Sequence, residues 1–256
     1  MFAGHAVRAD AIIVQSTTST ANSGLYDHLL PAFEEASGIR VHVVAVGTGQ
    51  AIRNARNCDG DVLLVHARAA EEKFVADGFG VKRFNLMYND FVIVGPRDGL
   101  TELRPGMPVA DALSTIAGAK ARFASRGDDS GTHRKEVSLW KSASIDPDAA
   151  SGTWYRSTGS GMGATLNIAI GMGAYTLTDR ATWISFKNKA DFKIAVEGDK
   201  ALFNQYGVIR VSDEKCPSAK AGQGQAFIDW LLSPEGQNRI NSYRVDGQQL
   251  FFANAD

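Results

Sequence analysis

Ile12-Ile13-Val14-Gln15-Ser16-Thr17-Thr18-Ser19-Thr20-Ala21-Asn22-Ser23-Gly24-Leu25 sets the reading of the whole chain. Ile12–Val14 is an apolar strand, and a run of five hydroxyl residues, Ser16–Thr20, follows it at once. A helical pattern then starts near Asn22, with Leu25, Leu29, Phe33 and Ala36 on one face. Gly38 is placed to end it as a C′ glycine. The same scheme repeats downstream. Val41–Val46 is a strand, Gly47-Thr48-Gly49 a turn and Ala51–Asn57 a short helix. Val62–Val65 is a third strand, and Ala69–Ala76 a helix closing at Gly78. These strands are continuous apolar runs, so the β-α-β-α-β-α order predicts a parallel sheet covered by helices on both faces.

From Phe91–Val94, another strand, the pattern is less regular. A Gly/Pro-rich stretch runs to Pro108, followed by a helix over Val109–Ala117, a short strand over Arg122–Ala124 and a helix over Thr132–Ser144. A glycine-rich turn opens a helix over Gly159–Met172. Tyr206–Val211 reads as a strand and Ala221–Leu232 as an amphipathic helix, ahead of a polar C-terminal segment. There is no internal repeat and no low-complexity linker. Two lobes, if present, are therefore joined by strands that cross between them.

The composition excludes several classes. The 256 residues are 44% hydrophobic and 21% charged, as in an ordinary globular protein. Lys plus Arg is 27 against 28 for Asp plus Glu, so no basic excess marks a nucleic-acid binder. No apolar run approaches the roughly 20 residues of a membrane helix. Cys58 and Cys216 are too few for a disulfide framework and lack zinc-ligand spacing. Ala9-Asp10-Ala11 has the small-x-small form of a signal-peptide cleavage site, although no apolar segment precedes it. It is either an unstructured terminus or the trimmed start of an exported protein. Export would let the two cysteines oxidise together.

Chemistry concentrates in hydroxyl- and glycine-rich turns, each between a strand and a helix: Ser16–Thr20, Gly47–Gly49, Ser125–Thr132 and Ser157–Gly163. A helix N-terminus offers free N–H groups and the positive end of a dipole, and therefore attracts anions. Hydroxyl side chains add donors without charge. The plainer alternative at each turn is an N-cap, but five consecutive hydroxyl residues exceed what one cap requires. In Ser125-Arg126-Gly127-Asp128-Asp129-Ser130-Gly131-Thr132 the planar fork of Arg126 suits an oxyanion, and Ser130, Gly131 and Thr132 open the next helix. Asp128 and Asp129 repel anions, so they are expected to cap the helix or to hold Arg126 while pointing away from a ligand. The glycines of Gly159–Gly163 lack the strand and acidic partner of a dinucleotide loop. The histidines form no metal-ligand pair, and no Gly-x-Ser-x-Gly elbow accompanies His133, so no catalytic set and no metal-cation site is expected.

The segments quoted above, together with Val44–Gly49, Asp61–Ala67, Met87–Pro96 and Ala174–Asp179, resemble tungstate-binding proteins of the TupA type in the same order along the chain. These are the extracytoplasmic components of tungstate ABC importers. The resemblance implies a two-lobed α/β periplasmic-binding-protein fold of the second type, each lobe a mixed sheet covered by helices, with the ligand in the cleft. It puts one lobe at residues 12–89 plus 205–256 and the other at 91–203, with crossover strands near Asn89–Phe91 and Phe203–Tyr206. Carried over residue by residue, it implies oxyanion ligands at Ser16, Thr17, Thr18 and Thr48, and at Arg126, Ser130, Gly131 and Thr132. Ser16 replaces the first Thr of the family motif, and Arg68 stands where relatives often have Pro and offers itself as a second anion contact. The spacing Arg126-x-x-x-Ser130-Gly131-Thr132 also resembles the corresponding loop of phosphate-binding proteins.

The resemblance further implies an exported, periplasmic monomer without cofactor, whose signal peptide has been removed. Its partners would be tungstate, or molybdate, and the permease and ATPase of an ABC importer. Lobe closure would capture the dehydrated dianion, and no nucleic acid or enzymatic step is expected. A donor-only site prefers a fully deprotonated tetrahedral anion, whereas phosphate at neutral pH carries a proton that needs an acceptor. The alternatives are a molybdate-, phosphate- or sulfate-binding protein of the same fold, or an enzyme acting on a small molecule through His133 and Asp129.

Overall fold

The computed structural model describes residues 11–255, so Ala9 and Asp10 of the cleavage-site reading lie outside the described residues. The element order is β1 (Ala11–Thr17), α1 (Thr18–Asn22), α2 (Leu25–Ser37), β2 (Arg40–Val46), α3 (Thr48–Arg56), β3 (Val62–Val65), α4 (Arg68–Ala76) and β4 (Gly80–Pro96). It continues with α5 (Val109–Gly118), β5 (Phe123–Ser125), α6 (Gly131–Ser142), β6 (Tyr155–Ser157), α7 (Met162–Met172), β7 (Thr176–Asp179), α8 (Arg180–Ser185) and β8 (Phe192–Val196). The chain closes with β9 (Phe203–Val211), α9 (Ala221–Leu232), α10 (Pro234–Ser242), β10 (Arg244–Val245), β11 (Gln248–Gln249) and β12 (Phe252–Ala253). The described residues form two compact units, one from residues 11–88 together with 205–255, the other from Asn89 to Asn204.

In the first unit β1 pairs in parallel with β2 and with β3, as the continuous apolar runs predict. β9 returns antiparallel to β3, with Val62 opposite Arg210, so the sheet is mixed rather than all-parallel. β12 pairs antiparallel with β4 at Tyr88 and Met87. On one face Ala51, Ile52 and Ala55 of α3 and Phe74 of α4 bury Leu63, Val65, Ile209 and Val211. Helices α2 and α9 meet through Phe33 and Phe227, whose rings lie 4.9 Å apart edge to face. A disulfide and a buried carboxylate are among the links between the separate chain segments of this unit. Cys58 and Cys216 form a disulfide across a sequence separation of 158. The buried Asp61 carboxylate accepts the backbone N–H of Ile13 and of Lys220, each at 2.7 Å.

In the second unit β4 pairs antiparallel with β7 and β8, and β5 pairs in parallel with β6. Trp140 of α6 is fully buried against Phe123 of β5, ring centroids 5.1 Å apart, with Leu113, Ile116 and Tyr155 in the same cluster. Asp90 and Arg180 form a bidentate ion pair at 2.5 and 2.7 Å, which Glu197 extends at 2.7 Å.

Several expected boundaries move for identifiable reasons. The helix expected from Asn22 starts at Leu25, because Gly24 takes a left-handed φ of 80° ahead of it, and a separate short helix, α1, forms within the hydroxyl run. The helix expected from Ala51 starts at Thr48, since extended Gly47 is its N-cap. The helix expected from Gly159 starts at Met162, because Gly159 is left-handed at φ 60° and Gly161 is the N-cap. Phe91–Val94 is the apolar part of the 17-residue β4, whose polar first half hides its strand character. The expected polar tail contains α10, opened by Ser233, whose hydroxyl accepts from Gly236 N–H, and by Pro234 in the first turn.

Candidate functional site

Pairing of β1 with β2 puts Thr17 opposite Val46, and pairing with β3 puts Gln15 opposite Leu63. The carboxyl ends of β2, β1 and β3 therefore lie side by side, and carry Gly47–Thr48, Ser16–Ser19 and His66–Ala67 to one edge of the first unit's sheet. Carboxyl ends of strands are where open α/β sheets bind ligands. Helices α1, α3 and α4 begin at this edge, so the positive ends of their dipoles face it.

The hydroxyl run splits into different roles. Ser16 is fully buried, and its Oγ lies 2.6 Å from the Tyr26 hydroxyl. Burial pushes the Tyr26 phenol far above its ordinary pKa, against the hydrogen bond with Ser16. Tyr26 therefore stays protonated; when it donates to Ser16, the Ser16 proton is left to donate elsewhere. Thr17 is the N-cap of α1, accepting from Thr20 N–H, and its Oγ1 meets Thr20 Oγ1 at 2.7 Å. Thr18 is exposed at the first position of α1, and Thr48 half-buried at the first position of α3. Ser19 Oγ lies 3.5 Å from His66 Nε2, and the His66 ring packs on Tyr206 with centroids 4.8 Å apart. Arg68, weighed as a second anion contact, donates to Glu72 at 2.7 Å along α4.

In the second unit the parallel pairing sets Ser125 opposite Ser157, so the loops that leave β5 and β6 run together. Thr158 N–H donates to Ser125 C=O at 2.9 Å and Ser160 N–H to Arg126 C=O at 3.2 Å. Gly127 makes this approach possible: its φ is +60°, and a Cβ there would lie 1.5 Å from Ser157 Oγ. Ser130 caps α6 by accepting from His133 N–H at 3.3 Å, with Gly131 and Thr132 in the first turn. Arg126 is held by Asp128, which accepts from Nη2 at 2.5 Å and from Ser130 N–H at 3.2 Å. Burial raises the Asp128 carboxyl, but the bonds from Ser130 and Arg126 outweigh it and leave the carboxyl below its ordinary value. Arg126 Nε is buried and has no acceptor.

Asp129 turns to Arg134, 2.8 and 2.9 Å away on the surface, and its backbone N–H donates to His133 Nδ1 at 3.0 Å. A carboxylate–imidazole pair for acid–base chemistry is thus not formed between Asp129 and His133. Among the described residues, no group of three or more His, Cys, Asp or Glu side chains is placed to hold a metal ion, and no helix is long and apolar enough to cross a membrane. The structure brings Ser16, Thr17, Thr18 and Thr48 to one edge of the first unit, and Arg126, Ser130, Gly131 and Thr132 to one loop of the second. Sequence reasoning missed two features. His66 lies within the Asp61–Ala67 segment but has no ligand spacing of its own to mark it, and β6 is too short to show a pattern, so the sequence does not reveal the pairing of the 157–163 turn with the Arg126 loop.

A family model described as a PBP superfamily domain matches residues 4–235. The tungstate-binding protein TupA of Peptoclostridium acidaminophilum is 47% identical over 249 residues, covering 96% of this chain and 86% of the relative. A solved structure of the tungstate-binding protein TupA from Desulfovibrio alaskensis G20 is 46% identical, with a TM-score of 0.93, covering 97% of this chain and all of the other. A structure described as the tungstate ABC transporter from Geobacter sulfurreducens is 47% identical with a TM-score of 0.78, covering 91% of this chain and 98% of the other.

Proposed function

The chain belongs to the PBP superfamily, and within it to the family of the TupA tungstate-binding proteins, and on that premise we propose that it binds tungstate outside the cytoplasm and delivers it to the permease and ATPase of an ABC importer. The ligands are Ser16, Thr17, Thr18 and Thr48 of the first unit and Arg126, Ser130, Gly131 and Thr132 of the second. The protein acts as a monomer, without cofactor and without a chemical step.

The observation that carries the reading is Arg126. Its guanidinium is fixed by Asp128 through Nη2, while Nε is buried without an acceptor. A buried charged donor left unpaired is costly, and an oxyanion oxygen is a strong acceptor for it. The neighbouring carboxylates do not compete for the ligand, since Asp128 is occupied by Arg126 and Ser130 and Asp129 by Arg134. The remaining groups are hydroxyls and N–H donors, which suit an anion that carries no proton at neutral pH. Because the donors come from two units, a bound anion favours the arrangement that presents both sets to it, by its differential affinity for that arrangement. The Cys58–Cys216 disulfide supports an oxidising compartment such as the periplasm.

Calorimetric titration at pH 7.5 with tungstate, molybdate, sulfate and phosphate tests the proposal. One-to-one binding of tungstate, with sulfate and phosphate silent, is the expected result, and the molybdate trace ranks selectivity. Silence with all four refutes it.

A further inference from the structure

Glu136, on α6, is 3% exposed. Asp90 in the same unit is buried against Arg180, but Glu136 is met by neutral donors, Tyr155 O–H at 2.7 Å and Trp140 Nε1–H at 3.2 Å, both on the same oxygen. Ser125 Oγ faces this carboxyl and the Tyr155 hydroxyl, yet it is buried without a well-aimed partner. The charged group that bears on Glu136 is the Asp148 carboxylate, of the same sign. Burial above all, helped by Asp148, lifts the Glu136 carboxyl to about 7, against the bonds from Tyr155 and Trp140 and the facing Ser125 hydroxyl. These residues belong to the elements that present the second unit's anion donors. Ser125 immediately precedes Arg126, Tyr155 opens the strand that pairs beside Ser125, and α6 begins with Gly131 and Thr132.

We propose that Glu136 is a positioning residue for the Arg126 loop, and that a proton on its carboxyl and an oxyanion on the loop favour one another. The inference rests on the oxyanion reading above. Ionised, Glu136 sets a negative charge beneath loops that receive a dianion, in an interior that screens charge poorly, and the facing Ser125 hydroxyl can meet it only as a donor. Protonated, it removes that charge and can donate to Ser125 Oγ, which frees the Ser125 proton to turn elsewhere. Tyr155 lines a cavity of about 560 Å³ together with Gly127, His133 and Ser157, which gives water a route toward the pair. Linkage is reciprocal: if the proton strengthens anion binding, the anion strengthens proton binding by the same factor.

The test is tungstate calorimetry at pH 6.5, 7.5 and 8.5, each in two buffers of different ionisation enthalpy. From pH 6.5 to 8.5 the wild-type affinity is expected to fall about three- to fourfold more than that of Glu136→Gln, the part of a roughly fivefold coupling that this window spans. Proton uptake at pH 7.5 should be present in the wild type and reduced in the variant. Tyr155→Phe removes a bond that favours the ionised form, so it should move the fall to higher pH; this carries the test if Glu136→Gln does not fold. A purely structural role would shift affinity equally at every pH. Equal pH slopes in wild type and Glu136→Gln, or an unmoved inflection in Tyr155→Phe, would overturn the inference while leaving tungstate binding intact. Absence of tungstate binding by the wild type would overturn the oxyanion reading and this inference with it.

Discussion

Reduction of the Cys58–Cys216 bond should cost the first unit about 4–5 kcal/mol of stability. The bond joins the two chain segments from which that unit is built and encloses the second unit between them, with a sequence separation of 158. If everything between the cysteines unfolds, the chain-entropy relation gives about 5 kcal/mol for a loop of this length. If the second unit stays folded while the first opens, roughly 40 residues of free chain remain in the loop, and the same relation gives about 4 kcal/mol. Reduction leaves both sulfur atoms in place, and Cys216 is fully buried beside Ala55 and Phe74, so the packing cost is small. Urea unfolding of oxidised and reduced protein measures the difference, and a drop in melting temperature of about 10–15 °C should accompany it. A loss below about 1 kcal/mol would refute the reasoning, for it would mean that the 61–220 contacts hold the segments together even in the unfolded ensemble.

Arg126→Gln should weaken tungstate binding by about 2–5 kcal/mol, the range for truncating one partner of a buried charged contact; unchanged affinity by calorimetry would remove Arg126 from the site. Gly127→Ala should lose about 2 kcal/mol or more of stability in urea and weaken binding together with it, because the left-handed φ and the Ser157 side chain both reject a Cβ. Adding Ser157→Gly should recover part of the loss. Glu136 also predicts a stability slope. Between its ordinary value of 4.5 and about 7 the folded chain keeps a proton that the unfolded chain has released, so stability falls as pH rises through that window and levels off above it. The drop is at most about 3–4 kcal/mol, and urea unfolding of Glu136→Gln at pH 5 and 8 should lack it.

Strongly periodic segments were legible from residue types alone. Val62–Val65 and Ala221–Leu232 stand as the sequence predicts, and Gly38 ends its helix in the left-handed conformation. The misreadings share a cause, which is that local glycine geometry and distant pairing decide what the local pattern leaves open. Gly24, Gly47 and Gly161 shift three helix starts. β6 and β7 are three and four residues long, too short for a period, and exist because β5 and β4 offer them partners. Of the two carboxylates expected to cap α6 or to hold Arg126, Asp128 holds Arg126, while Asp129 pairs with Arg134 instead, a partner the local pattern did not single out. Glu136 was invisible as a functional candidate, because nothing in Arg134-Lys135-Glu136-Val137 says which way the carboxyl faces. Its burial follows from the packing of Trp140 and Tyr155 around it.

Locating tungsten by its anomalous scattering in crystals grown with tungstate tests the central claim most directly. One tungsten per chain is expected, its oxygens accepting from Arg126 and the Ser130–Thr132 turn on one side and from the Ser16–Thr18 and Thr48 donors on the other. Tungsten bound away from Arg126, or held by one unit's donors alone, would contradict the account.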